Sequence, residues 1–446
     1  MANITSDKMF SAPTTHLPEL PSYTLTLRPE LVPGIPDAWL QMALLVIAYW
    51  GVSGFFHVID ELDLFPQYRL HTPAEILKRN RVTRWEVLRD VVLQQIIQTM
   101  LGLAFAWFDP PEMIGREQYD IAAWALRIRK TQTFLPTLLK LAAVDAPGLS
   151  SKLSATYPTL AAAIGGGVYH TSGFASWEMN LAKFIYWIGI PAIQFSVAIF
   201  FVDTWQYFLH RAMHMNKFLY NWLHIRHHRL YVPYAFGALY NHPIEGFLLD
   251  TLGTGIAYLA TGMTVRQGMW FFTCSTIKTV DDHCGYAFPW DPLQHLTHNN
   301  AAYHDIHHQS WGIKTNFSQP FGTFWDRLLG TTWKGGDVSS RYERDRLAAQ
   351  KKVNADQTSA KASVTNSPAV DNAVAQQQAA ASQQQVLESD GPAVIRDEHR
   401  EEREVKQSSQ RSSRRKSGFD AKTWSEKVAG SLHGRSSAIL HADGVH

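Results

Sequence analysis

Cysteine is nearly absent. Cys274 and Cys284 are the two in 446 residues, so neither a disulfide framework nor a cysteine-rich zinc site can be built. A charge imbalance is missing too. Lys and Arg number 41 and Asp and Glu 39, for a net charge of +2, which leaves no basic footprint for nucleic acid. No glycine-rich dinucleotide fingerprint precedes a helix, and no CxxCH haem attachment occurs. Electrons for any redox chemistry must then come from a separate carrier. The first 37 residues hold six prolines and no continuous apolar core, so no cleavable signal peptide is expected there. Aromatic and β-branched residues are scarce from 350 to 446, where Gln, Ala, Ser and charged blocks dominate. That composition predicts a disordered tail. Its run Arg414-Arg415-Lys416-Ser417 reads first as a solvated basic stretch, with a phosphorylation site or anionic-lipid contact as the alternative.

Aromatic residues and uncharged apolar runs are abundant. The chain has 15 Trp, 16 Tyr and 23 Phe, and Trp and Tyr concentrate where protein meets the membrane–water boundary. Residues 38–59 carry no Asp, Glu, Lys or Arg over 22 positions, and 91–108 carry none over 18. Residues 184–202 repeat this over 19, with Pro191 as an expected kink. Each run has about the 20 residues that a spanning helix needs. Two shorter runs, 251–265 and 267–277, flank Arg266 and read as a hairpin that enters the bilayer and returns. Lys78, Arg79, Arg81 and Arg84 lie between the first two runs and suggest a cytosolic loop, with the N-terminus lumenal. The segment 109–183 reads as lumenal or interfacial. His57 and His170 read as structural or exposed.

Twelve of the 20 histidines fall within 210–308. Eight form three boxes: His210 and His214; His224, His227 and His228; His304, His307 and His308. Helical positions i, i+3 and i+4 share a face, so each box is expected to aim its imidazoles at one point. Imidazole is the commonest metal ligand, and burying eight without a partner would be costly. Eight ligands exceed what one ion takes, so two ions are expected. His283 follows the hairpin and is a candidate ninth ligand. His242 is a weaker candidate, as ligand or supporting group. His295 and His298 lack helical pairing and read as bystanders. Asp203, Glu245, Asp282 and Asp305 are candidates to orient ligating imidazoles. Tyr231, Tyr234, Phe236 and Tyr240 are candidates to line the approach, or to pack as core. All-nitrogen ligation beside apolar helices suits dioxygen chemistry with iron better than a hydrolytic zinc site.

These motifs resemble the fatty acid hydroxylase/sterol desaturase superfamily. The segments DTWQYFLHRAMH (203–214), LYVPYAFGALYNHPIEGFLLDTLGT (230–254), TVDDHCGY (279–286) and YHDIHHQSWGIKTNFSQPFGTFWDRLLGT (303–331) are similar, within it, to the sphinganine C4-hydroxylases, also called sphingolipid C4-monooxygenases. The resemblance implies a multi-pass protein of the endoplasmic reticulum with a cytosol-facing di-iron centre. It implies O2-dependent hydroxylation at C4 of sphinganine or dihydroceramide, with NADPH or NADH electrons delivered by cytochrome b5 and its reductase. It carries the eight box histidines over as metal ligands and matches His283 to an additional histidine.

The expected architecture is an all-α integral membrane protein with about four transmembrane helices and a helical histidine-box domain. Its divisions are a Pro-rich lead-in (1–37), a transmembrane region (38–202), a catalytic domain (203–335, with the hairpin 251–277) and a disordered tail (336–446). Truncation after about residue 340 is therefore expected to spare activity. Alternatives are a sterol C5-desaturase, a sterol C4-methyl oxidase or a fatty acid 2-hydroxylase and, from another class, a zinc transporter. The transporter reading needs ligands within the spans, whereas the boxes follow them.

Overall fold

The structure is a computed structural model, and it describes residues 17–167 and 173–365. His170 and the basic run 414–417 lie outside the described residues. The chain is helical. Among the described residues, strand pairing is confined to the two-residue strands β1 (Thr26–Leu27) and β2 (Met113–Ile114), which are antiparallel, and to isolated bridges.

Helix α1 (Asp37–Glu61) contains the first apolar run and starts directly after Pro36, where a missing N–H costs nothing. Helix α2 (Pro73–Arg79) is started by a capping box between Thr72 and Glu75. The same device, Thr83 with Glu86, starts α3 (Arg84–Phe108). Asp109-Pro110-Pro111 ends α3, because consecutive prolines cannot continue a helix. The segment 109–183 folds into α4 (Glu117–Gln132), α5 (Leu135–Leu141), α6 (Ala146–Leu153), α7 (Pro158–Ile164) and α8 (Ser176–Phe184). A buried ion pair ties α4 to α8: Arg129 Nη2 reaches Glu178 at 2.6 Å, and Gln132 donates to the same carboxylate at 2.7 Å.

Helix α8 continues through a π-helical turn (Ile185–Gly189) into α9 (Ile190–Met215). Pro191 cannot donate the N–H that an α-helix would aim at the Trp187 carbonyl, and the wider turn sits over that gap. The expected proline kink thus takes the form of a π turn. The second box follows on α10 (Lys217–Leu219), a π turn (Tyr220–His224) and α11 (Ile225–His228). Next, α12 (Pro243–Gly246) passes through a π turn (Phe247–Leu252) into α13 (Gly253–Thr261). Gly262, at φ 64°, reverses the chain, and α14 (Val265–Asp282) returns behind a Thr264–Gln267 capping box. Arg266 pairs with Asp37 at 2.8 Å, which fixes the start of α14 against the start of α1. A Cβ on Gly268 would lie 2.6 Å from Gln41 Nε2 and 2.8 Å from the Tyr258 ring, so a larger residue there requires both side chains to shift. The remaining helices are α15 (Pro292–Leu296), α16 (Ala301–His308), α17 (Phe324–Leu329) and α18 (Ser339–Thr365).

Among the described residues, three helical stretches are long and apolar enough to cross a membrane: Asp37–Glu61, Arg84–Phe108 and Ser176–Met215. Only 22%, 17% and 11% of their apolar windows are buried within the protein. Apolar helices left uncovered suit lipid contact. Of the about four spans expected, three are found among the described residues, and the α13–α14 hairpin is not one of them.

The expected disordered tail also needs correction. Residues 339–365, inside the stretch 336–446, form α18, which packs on α2. Composition misleads here because the anchoring is polar: Arg79 pairs with Asp345 at 3.2 Å, and Lys78 pairs with Asp356. Residues 366–446 lie outside the described residues.

Candidate metal centre

The end of α9 brings His210 and His214 to the buried side, one turn apart. Their Nε2 atoms are 3.2 Å from each other. His224 Nε2 lies 3.1 Å from His210 Nε2 and 3.0 Å from His228 Nε2, and His228 Nε2 lies 3.2 Å from His214 Nε2. The four nitrogens close a ring, and His307 joins them as a fifth member of the group. A second group holds His227, His283, His304 and His308. There, His304 Nε2 is 3.1 Å from both His283 Nε2 and His308 Nε2.

In six of the nine rings the proton is held away from these nitrogens, on Nδ1. His210 donates Nδ1–H to the Phe317 carbonyl (2.8 Å), His227 to Tyr240 (3.2 Å) and His283 to Thr279 (2.8 Å). His307 donates to Thr315 (2.7 Å), His308 to Leu230 (3.0 Å) and His224 to the Glu245 carboxylate. A carbonyl or carboxylate oxygen accepts here, so in these six neutral rings the single proton sits on Nδ1 and Nε2 presents a lone pair. Burial first holds the rings neutral, followed by the neighbouring imidazoles at His227, His304 and His308 and by Lys278 at His283: His227 is pushed down to about 3, His283 to about 4, and His304 and His308 well below the usual value. The lone pairs of His210 and His224, facing each other at 3.1 Å, repel unless a cation lies between them. Nitrogens each about 2.0–2.1 Å from one ion sit about 3.0–3.4 Å apart. The residues therefore fit two metal ions, one per group.

The boxes do not each serve one point. His224 and His228 belong to the first group while His227 belongs to the second, and His304 and His308 belong to the second while His307 belongs to the first. Positions i and i+4 differ by about 40° around a helix, whereas i+3 lies about 100° from i+4. Each HxxHH therefore straddles both groups. His283 lies in the second group, brought there by the return of α14. His242 lies in neither. It caps α12, its Nδ1 accepting from Ile244 N–H at 3.3 Å. His295 and His298 are exposed.

Among the four candidate carboxylates, Glu245 touches a box imidazole, His224. Asp203 instead accepts the Phe321 and Gly322 N–H groups at 3.0 and 2.8 Å. Asp282 is held by Lys278 and by Asn299. Asp305 points away from its neighbouring imidazoles to His71, whose Nε2 lies 2.9 Å from Oδ1. His71 Nδ1 meets Glu75 at 2.9 Å. Both ring nitrogens face carboxylates, so the ring is an imidazolium. Burial opposes that charge, but Asp305 and Glu75 outweigh it and raise the ring to about 9.

Sequence reasoning missed His71, a lone histidine outside every box, and Asp326. Fully buried Asp326 accepts from the Phe317 and Ser318 N–H groups (3.1 and 2.8 Å), from Tyr303 (2.8 Å) and from Thr331 (2.6 Å). It fixes the loop whose Phe317 carbonyl orients His210. No local motif signals such a role. The aromatic candidates fall to the packing reading: Tyr234 and Tyr240 are buried in the main hydrophobic core with Phe236 against it, and Tyr231 does not line the cavity at the histidines. That cavity has a volume of about 30 Å³, and His224, His227, His283 and His304 form part of its wall.

Comparison with known proteins agrees with this geometry. The fatty acid hydroxylase family matches residues 195–331. A sphingolipid C4-hydroxylase of Saccharomyces cerevisiae is 45% identical over 329 residues, 74% of this chain and 81% of the relative. One of Schizosaccharomyces pombe is 44% identical over 312 residues, 69% and 93% of the two chains. A protein of Oryza sativa named very-long-chain aldehyde decarbonylase is 38% identical over 286 residues, 64% and 85%. No solved structure matches.

Proposed function

The chain belongs to the fatty acid hydroxylase family, and on that premise we propose that it is an O2-dependent sphinganine C4-monooxygenase, adding a hydroxyl at C4 of the long-chain base of sphinganine or dihydroceramide in sphingolipid biosynthesis. The observation that carries this is the pair of histidine groups in a chain 45% identical to a named sphingolipid C4-hydroxylase. His210, His214, His224, His228 and His307 would hold one iron, and His227, His283, His304 and His308 would hold the other. Imidazole donors suit iron, and the bound pair supplies the redox capacity to activate dioxygen. The chain's own residues do the positioning. The carbonyls of Phe317, Tyr240, Thr279, Thr315 and Leu230 fix the tautomers, and Glu245 makes His224 a stronger donor. The surrounding core keeps water from the reacting carbon.

Three long apolar helices support a multi-pass protein of the endoplasmic reticulum membrane. The basic link between α1 and α3 supports a cytosolic face for the histidines, where cytochrome b5 and its reductase deliver NADPH or NADH electrons. The hairpin α13–α14 dips into the bilayer from that face. Membranes carrying the protein, supplied with sphinganine, NADPH, cytochrome b5 and reductase, should form the 4-hydroxylated base. Turnover of sterols, fatty acids or long-chain aldehydes with no C4-hydroxylated base would overturn the assignment.

A further inference from the structure

The cavity beside the histidines holds polar side chains other than the imidazoles. Gln206, Asn241, Asp250, Thr279 and Asp282 line it together with the imidazoles. Asp282 is satisfied by Lys278 and Asn299, and Glu245, also in the wall, by His224. Asp250 differs. Its Oδ2 is buried and has no hydrogen-bond partner among the described residues, and neither has the buried hydroxyl of the adjacent Thr251. A buried carboxylate oxygen without a partner is costly. Asp250 stands in the π turn Phe247–Leu252, and such turns recur at functional sites.

The chemistry of C4 hydroxylation supplies the missing partner. In a long-chain base the carbon to be oxidised is bonded to C3, which carries a hydroxyl, and C2 beyond it carries the nitrogen. With carbon–carbon bonds of about 1.5 Å, both polar groups lie within about 4 Å of the reacting carbon. Any pose that presents C4 to the metals must also bury these donors beside them. Resting on the C4-monooxygenase reading, we infer that Asp250 is the specificity-determining acceptor for the C3 hydroxyl and C2 nitrogen of the long-chain base. The carboxylate and the head group satisfy each other, and a chain without those donors leaves Asp250 unpaired.

The test is equilibrium binding to the iron-loaded, full-length protein without O2, comparing sphinganine, its 3-deoxy and 2-deamino analogues, and dihydroceramide. Wild-type protein is expected to bind sphinganine on the order of 100-fold more tightly than at least one of the two analogues, because buried polar groups reject a ligand that lacks their partner. In Asp250→Asn and Asp250→Ala, at unchanged iron content, that preference is expected to fall to within about threefold of unity. Dihydroceramide separates the two nitrogen forms: an effect of the substitutions on sphinganine alone assigns the ammonium, and an equal effect on both assigns the shared hydroxyl and N–H. Iron-loaded variants that keep the wild-type preference overturn the inference while leaving the monooxygenase reading intact. Wild-type protein that binds none of these lipids and forms no C4-hydroxylated product overturns both.

Discussion

His71 and Asp305 are 234 residues apart in the chain and meet with 2.9 Å between Nε2 and Oδ1, buried behind the third histidine box. Tyr342 of α18 donates to the same carboxylate at 2.5 Å, and Gln309 stands beside it while donating to the Tyr231 carbonyl at 3.0 Å. Three separate parts of the sequence thus converge on the residue next to His304.

Truncation is the first consequence. Removing everything after 338 takes away Tyr342 and Asp345 and leaves Asp305 and Arg79 short of partners. Loss of a hydrogen bond to a charged group costs about 1.5–3 kcal/mol, so a lowered thermal midpoint is expected, together with reduced metal retention. Truncation after 365 should change neither. Equal midpoints for the two truncations would show that α18 is not part of the stable unit. This reverses the expectation, drawn from composition, that truncation after about 340 is harmless.

A pH dependence follows from the imidazolium. The folded ring titrates at about 9, above the free value of 6.5. Its contribution to stability is therefore complete below pH 6.5 and is lost as pH rises through 9. Glu75, pulled down to about 2 against burial by His71, stays ionised across this window. The midpoint should fall more steeply between pH 6.5 and 9.5 in the wild type than in His71→Gln. The same slope in both would place the charge elsewhere.

The histidine centre was largely legible in the sequence. Box spacing implies helices and shared faces, ligand number implies two ions, and reuniting the third box with the others requires a chain reversal, which Gly262 provides. What spacing does not carry is the division of each HxxHH between the two groups, which depends on where neighbouring helices lie. Long-range polar contacts were likewise invisible. Nothing near Asp326 marks it as the support of the 317–318 loop, and nothing near His71 points to Asp305. The helix 339–365 was misread because charged side chains rather than apolar ones anchor it.

Asp326 provides a test of that support. In Asp326→Ala the Phe317 and Ser318 N–H groups lose their acceptor, and His210 loses its fixed carbonyl. Disturbing groups that orient a ligand costs about 10–100-fold in metal affinity. Chelator competition on the purified variant should show a loss of this order, while Asp63→Ala, on an exposed turn, should show none. Unchanged affinity in Asp326→Ala would reduce it to a packing role.

The most direct measurement is the metal content of the purified full-length protein, taken together with two single substitutions. Five histidines converge on one point and four on another, so two iron ions per chain are expected. His228→Ala removes a ligand from the first group and His227→Ala removes one from the second. Each should lower occupancy and abolish C4 hydroxylation while the protein stays in the membrane. A fully active preparation that holds one iron per chain, or zinc alone, would contradict a paired iron centre.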